Sequence, residues 1–444
     1  MERSKLHSSA NETLLSKKEL MIGGLSASWL AEKYGTPLIV YDEEKIRNQI
    51  HDYKQAFHEV QADFRLAYAC KAFCSTYMCQ IAQEEGLWLD VVSGGELFTA
   101  LKSGFQSNHI LMHGNNKTKE ELEFAVTSQI GLIVVDNFHE IEVLGEILNR
   151  TGQSIDIMIR VSPGVDVHTH DFISTGQQDS KFGFDLYSGQ VEEAIIAIKK
   201  YHRMRLMGIH AHIGSQIFDA EGFGVAAKRM ADLSKKIERE LDVMTHILNL
   251  GGGLGIRYTS EDTPMPLETL VEEVVLAARK AYESDGLSLP LIMLEPGRSI
   301  VAEAGTTIYR VGSRKEIPGL RTYVAVDGGM TDNPRLALYG AKYEAVIANK
   351  MNANKEDLVS IAGKACESGD MLIWDIELPK AEPGDLLAVF CTGAYNYSMA
   401  SNYNRIPRPA VVFVREGQSK LVLRRETYDD LLQLEMNTDF SSFS

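Results

Sequence analysis

Between about residues 40 and 300 the chain alternates strand-like and helix-like segments, and that repetition constrains the fold more than anything else in the sequence. Apolar, often β-branched runs occur at FRLAYAC (64–70), WLDVVS (88–93), HILMHG (109–114), GLIVVD (131–136), DIMIRVS (156–162), MGIHAH (207–212), HILNLG (246–251) and PLIMLE (290–295). Between them lie stretches of helical period such as GGELFTALKSG, TKEELEFAV, QVEEAIIAIKKYH and LETLVEEVVLAARKAYES. Helix starts are signalled by Thr118 ahead of Glu120 and Glu121, and by Thr259 and Ser260 leading into an acidic turn. Parallel strands need crossover helices, and eight such units close a ring, so the prediction is an α/β fold, a (β/α)8 TIM barrel. A doubly wound open sheet alternates in the same way, and the pattern alone leaves it open.

Beyond residue 300 the texture changes. TTIYRVGSR, RTYVAVDGG, DLLAVFCTG, PAVVFVREG and KLVLRRET are short strand-like runs separated by Gly, Pro and charged turns. They predict a second, all-β domain of sandwich or barrel type. PLIVYD (37–42) lies outside the count of eight and is expected to join it. The boundaries read as 1–42 for the N-terminal segment, 43–302 for the barrel and 303–444 for the β domain.

Size fits two domains, since 444 residues exceed what one core usually serves, and 44% hydrophobic content supplies the apolar material. No apolar run approaches the ~20 residues of a membrane span. The polar start, MERSKLHSSANETLLSKKEL, lacks the apolar region of a secretory signal, so a soluble, cytoplasmic protein is expected. A net charge of −16 argues against nucleic-acid and anionic-membrane partners, which need basic surface. Five cysteines without a Cys-x-x-Cys pair suit free thiols in a reducing compartment.

In such a barrel the chemistry sits at the C-terminal ends of the strands. There the sequence places Lys71, Asp90 with the turn from Ser93 to Glu96, His113 to Asn116, Asp136, Arg160, His212 with Ser215, Gly251 to Gly253, and Glu295 to Arg298. Lys71 lies in the apolar stretch AYACKAF, where desolvation would disfavour its charge and free the amine for Schiff-base chemistry. The triple glycine can bring bare N–H groups close to a phosphate, or it can be a tight turn. Glu295 can brace a pyridine nitrogen or pair with Arg298. His210 and His212 could bind a metal, but the other strand ends lack further ligands and no metal is expected.

AYACKAF, LDVVSGGEL, HGNNKTKEEL, HIGSQIFD, LNLGGGLGIRY, EPGRSIVAEAGT, VDGGMTDNPRLALY, CESGD and FCTGAYNYSMASNYNRIPRPAVVFV resemble the diaminopimelate decarboxylase family. This family belongs to the alanine-racemase-like, fold type III enzymes that use pyridoxal 5′-phosphate. The resemblance runs from roughly residue 20 to 430. It implies a homodimer that shares its active sites across the interface. Lys71 would form the Schiff base, His212 would stack on the ring, and Glu295 would hold the ring nitrogen. Ser215, Gly252, Gly253, Gly297 and Tyr395 would surround the cofactor and its phosphate. Arg298, Arg335 and Tyr339 would anchor the far end of the substrate. The resemblance also implies that Cys366, as proton donor, and Glu367, for the distal ammonium, come from the partner subunit. Asp90, Glu96 and Arg160 match positions that brace the lysine and the ring. Two departures stand out: Pro334 and Leu336 flank Arg335, and Asn396 follows Tyr395 where the family often has a small residue.

The reaction implied is decarboxylation of meso-2,6-diaminopimelate to L-lysine and CO2. Decarboxylases of lysine, ornithine or arginine need no second carboxylate anchor, and the two arginines favour the diacid. A racemase on the same barrel, a non-catalytic cofactor-binding homologue and a metal-dependent hydrolase are the remaining alternatives.

Overall fold

The computed structural model describes residues 18–165 and 180–436. The polar start of the sequence therefore lies almost wholly outside the described residues. Two compact units are present: Lys45–Ala302, and the segment ending at Glu44 joined to the chain from Glu303 onwards. Among the described residues no helix is long and apolar enough to cross a membrane.

In the first unit eight parallel strands follow one another: Phe64–Ala69, Trp88–Val91, Ile110–Met112, Leu132–Val135, Ile155–Ser162, Met204–His210, Ile247–Asn249 and Leu291–Leu294. The eighth pairs with the first, Ile292 opposite Phe64, and the sixth bridges the fifth and seventh. A ring without free edges excludes the open doubly wound sheet. Its interior is filled by Ala67, Leu111, Leu132, Val134, Met158, Ile247 and Met293, so it is a packed core and not a pore. Each of the larger side chains stabilises the ring by about 1.5–3 kcal/mol on burial.

The helices begin where local chemistry allows. Thr118 and Glu121 form a reciprocal capping box at Lys119–Thr127. Thr259 and Ser260 do not start a helix. Asp262 Oδ2 takes the Tyr258 and Thr259 amides at 3.0 and 2.8 Å, closing a turn, and the helix begins only after Pro266, at Leu267–Ser284. Side-chain capture of backbone there competes with helix formation.

The second unit is a connected sheet around the long strand Gly305–Ile317. The first half of this strand pairs with Leu38–Asp42 and Leu386–Phe390, and its second half with Arg321–Val326 after a register shift at Val311/Arg314. Leu38–Asp42 also runs parallel to Ala410–Arg415, so PLIVYD is a central strand of this sheet. Leu38, Val40, Ile308, Ala388 and Val412 share one buried cluster.

One buried ion pair fastens the loops after the third and fourth barrel strands. Lys117 Nζ donates to Gly114 O, Val134 O and Glu140 Oε1 at 2.8, 2.7 and 2.8 Å, while Glu140 Oε2 accepts from the Asp136 amide at 3.1 Å. Removing one member leaves an uncompensated charge out of water. Glu140→Ala is expected to lower the unfolding free energy by about 3–5 kcal/mol, measured as a reduced midpoint at unchanged slope in urea titration.

Candidate active site

Glu295 directly follows the eighth strand and is buried. Its Oε1 accepts hydrogen bonds from His113 Nε2 and Asn249 Nδ2, both at 2.7 Å, and Oε2 lies 3.3 Å from His210 Nε2. Burial opposes ionisation, but His113 and His210 overcome it and hold the carboxylate well below its usual range. His210 is itself driven down to about 4 by burial, so it is neutral and offers Nε2–H. The HAH pair is therefore divided: His210 serves Glu295, whereas His212 Nδ1 accepts from the Gly252 amide at 3.3 Å. His212 also has its pKa lowered well below normal, by burial first and then by Lys71 and Arg160. Its partners leave it neutral with Nε2 protonated.

Lys71 occupies the short turn Cys70–Ala72 that follows the first strand. Its Nζ is 3.9 Å from Asp90 Oδ2 at the end of the second strand. The desolvation expected of Lys71 is not found within the chain, where 44% of its side chain is exposed while Asp90 is 1% exposed. The buried partner is the acid, and burial raises the Asp90 pKa against the pull of His113 and Lys71. Glu96 Oε2 accepts from the Val92 amide at 2.8 Å, fixing the turn that follows the same strand. Burial pushes Glu96 up to about 8. Arg160, ending the fifth strand region, stacks 4.2 Å from the Phe182 ring centroid, with Asp136 Oδ2 3.9 Å from its Nε.

The loops after the sixth, seventh and eighth strands interlock. A Cβ on Gly252 would lie 2.3 Å from Glu295 O, and one on Gly253, at φ +103°, 2.1 Å from Gly214 O. Only glycine allows those backbones to meet. Gly297 packs against Ala69, beside the Lys71 turn. Arg298 does not pair with Glu295. It donates to Tyr258 Oη at 2.6 Å and to Ser215 Oγ at 2.8 Å.

In the β unit Arg335 is buried and donates to Tyr343 Oη at 2.7 Å. Pro334 caps the short helix Arg335–Tyr339 in an αR conformation, so the proline starts that helix without displacing Arg335. Tyr339 is half-buried at its last position. Cys366 and Glu367 are exposed. The Cys366 amide donates to Asn404 Oδ1 at 2.6 Å, and Tyr403 Oη reaches Glu367 Oε2 at 3.4 Å. Asp370 joins two loops, taking the Met330 and Ala365 amides at 2.6 and 2.7 Å. Tyr395 adopts φ +64°, a left-handed conformation rare outside glycine. The buried amide of Asn396, oriented to satisfy its neighbours, donates to Ala394 O at 2.9 Å and Thr392 O at 3.2 Å. The departure after Tyr395 is thus a hydrogen-bonded staple that holds the unusual turn.

His113, Asn249 and Tyr258 are the partners that sequence reasoning left without roles. Asn249, an amide inside the apolar run HILNLG, is the one with a local signal. A closed barrel with one lysine beside a buried acid, an ionised glutamate braced by imidazoles and a glycine-lined loop belongs to the class of barrel enzymes that hold an organic cofactor at their strand ends. The chain belongs to the pyridoxal-dependent decarboxylase family: residues 43–302 match its pyridoxal binding domain. The diaminopimelate decarboxylase of Bacillus subtilis (strain 168) is 56% identical over 417 residues, covering 94% of this chain and 95% of its own. That of Staphylococcus aureus (strain COL) is 45% identical over 415 residues, covering 93% and 97%. The crystal structure of diaminopimelate decarboxylase from M. jannaschii in complex with L-lysine has a TM-score of 0.89 at 36% identity, covering 95% of this chain and 97% of that one.

The family's cofactor is pyridoxal 5′-phosphate, and the residues present suit it. Glu295 uses three lone-pair directions on protein partners, and a carboxylate has about four, so it can still accept from a ring nitrogen. Asp90 Oδ1 is buried without a hydrogen-bond partner, next to the Lys71 amine. The closely packed glycine loop leaves no side chain where a phosphate must approach backbone.

Asp332, three residues before Arg335, offers a pH test of the loop that carries that arginine. Burial pushes its carboxyl up to about 7, against lowering hydrogen bonds from Tyr309 and Gly329, with Asp370 and Asp327 adding repulsion. Unfolding returns it to about 3.8, so its stabilising effect is complete below that pH and is lost as pH rises to about 7. Asp332→Asn is expected to flatten the fall in Tm between pH 4 and 7, scanned by calorimetry against the unmutated chain.

Proposed function

We propose that this chain decarboxylates meso-2,6-diaminopimelate at its D-configured centre, releasing CO2 and L-lysine. The observation that carries the reading is the buried, ionised Glu295 facing the strand-end loops that hold Lys71, His212 and the glycine triplet. Support for the substrate comes from relatives of that name at 45–56% identity, spanning nearly the whole chain.

Bound here, pyridoxal phosphate supplies an aldehyde for amines and an electron-accepting ring for the pair left behind as CO2 departs. Lys71 would hold the aldehyde carbon and yield it to the substrate amine, with Asp90 and Glu96 positioning the turn. Glu295 would accept the ring N–H and keep that proton in place. His212, neutral, would cover one ring face without competing for the proton. Ser215, Gly252, Gly253 and Gly297, with Tyr395, would enclose the cofactor and its phosphate. Arg298 holds Ser215 and Tyr258, so its first task is to shape that enclosure, and its substrate contact would be made from this fixed position. Arg335, pinned by Tyr343, and Tyr339 would grip the distal carboxylate, for which a guanidinium fork is well shaped. Arg160 would add charge beside the ring.

The chain would act as a homodimer, with Cys366 and Glu367 serving the partner's site. Their exposure, on a loop fastened by Asp370 and Asn404, supports that use. Cys366 Sγ would give a proton to the carbon that lost CO2, and Glu367 would receive the distal ammonium. A cytoplasmic location agrees with five free cysteines.

The test is CO2 release from meso-diaminopimelate, L-lysine and L-ornithine side by side. Turnover of the diacid alone is expected, and turnover of only the monocarboxylates would overturn the assignment. Cys366→Ser is expected to lower kcat by about 10²–10⁴-fold while KM moves little, as for loss of a positioned proton donor.

A further inference from the structure

Behind the turn that carries Lys71, three thiols converge. Cys70 opens the turn after the first barrel strand, Cys74 lies in the following loop, and Cys79 sits on the helix Thr76–Glu84. Their sulfur atoms all lie within 4.8 Å of one another. Cys70 and Cys79 are buried, and Cys74 is half-buried. The backbone between them is fixed from both sides: Tyr68 Oη donates to Phe73 O at 2.7 Å, and Ser75 Oγ caps the helix by accepting from the Met78 amide at 3.1 Å.

We propose that Cys70, Cys74 and Cys79 form a binding site for a thiophilic d10 cation of the Zn2+ or Cd2+ class, separate from the cofactor site and one residue from Lys71. Three thiolates around such an ion at about 2.3 Å sit about 3.8–4.0 Å apart. The sulfurs are already gathered within 4.8 Å, so closing on an ion needs only small side-chain shifts. Soft sulfur ligands select soft or borderline cations over Mg2+ and Ca2+. Partial exposure of Cys74 gives the ion an entry path and leaves a fourth position to water. Binding replaces thiol protons by the cation, with no change of oxidation state. Occupancy would clamp the turn that positions Lys71 and so link metal status to the cofactor lysine.

The experiment uses reduced, cofactor-loaded enzyme titrated with Cd2+, following the cadmium–thiolate absorbance and mapping alkylated cysteines by mass spectrometry. One equivalent per chain should produce the band and protect Cys74 from iodoacetamide, while Cys366 still reacts. Cys74→Ser, a change at a half-buried position, should weaken binding at least about tenfold, and the band should persist in Cys366→Ser. If Cys74 alkylates equally with and without Cd2+, or if the band is lost only in Cys366→Ser, the proposal is overturned. The alkylation arm needs no variant, so a misfolded Cys74→Ser protein would not obscure the result.

Discussion

Glu295 is a charged carboxylate taken out of water, and the strand-end chemistry depends on how that cost is met. Three hydrogen-bond partners from different strands and loops converge on it: His113, Asn249 and His210. A buried ion without such partners would protonate, and a neutral acid could not hold a proton on a pyridine ring. The closed barrel makes the convergence possible, because its last strand lies beside its first and all eight strand ends face one way. The same closure sets Gly297 against Ala69 and brings the eighth-strand loop to the Lys71 turn.

Neutral imidazoles follow from this economy of charge. His210 and His212 are both held unprotonated by burial, and each spends one nitrogen on a defined partner, Glu295 or the Gly252 amide. Arg298 is committed to Ser215 and Tyr258. On the proposed reading the site would separate its tasks: an anion for the ring nitrogen, an amine for the aldehyde and backbone for the phosphate.

Period and position made much of this legible. The strand runs were visible because buried parallel strands are continuously apolar, and their ends marked Lys71, His212, the glycines and Glu295. What escaped was pairing over long separations. Nothing near His113 announces Glu295, 182 residues later. The exposure of Lys71 escapes the sequence for a related reason. An apolar neighbourhood in sequence describes the strand that carries the lysine, whereas exposure depends on what other segments cover it. Asn396 looked like an anomaly until its buried amide was found bonding to Thr392 and Ala394.

The central claim is that the strand ends bind pyridoxal phosphate through Lys71. Reducing the cofactor-loaded enzyme with borohydride and mapping its peptides by mass spectrometry tests it directly. The account predicts one pyridoxyl adduct per chain, on the peptide containing Lys71. An adduct on any other lysine, or none, would contradict it.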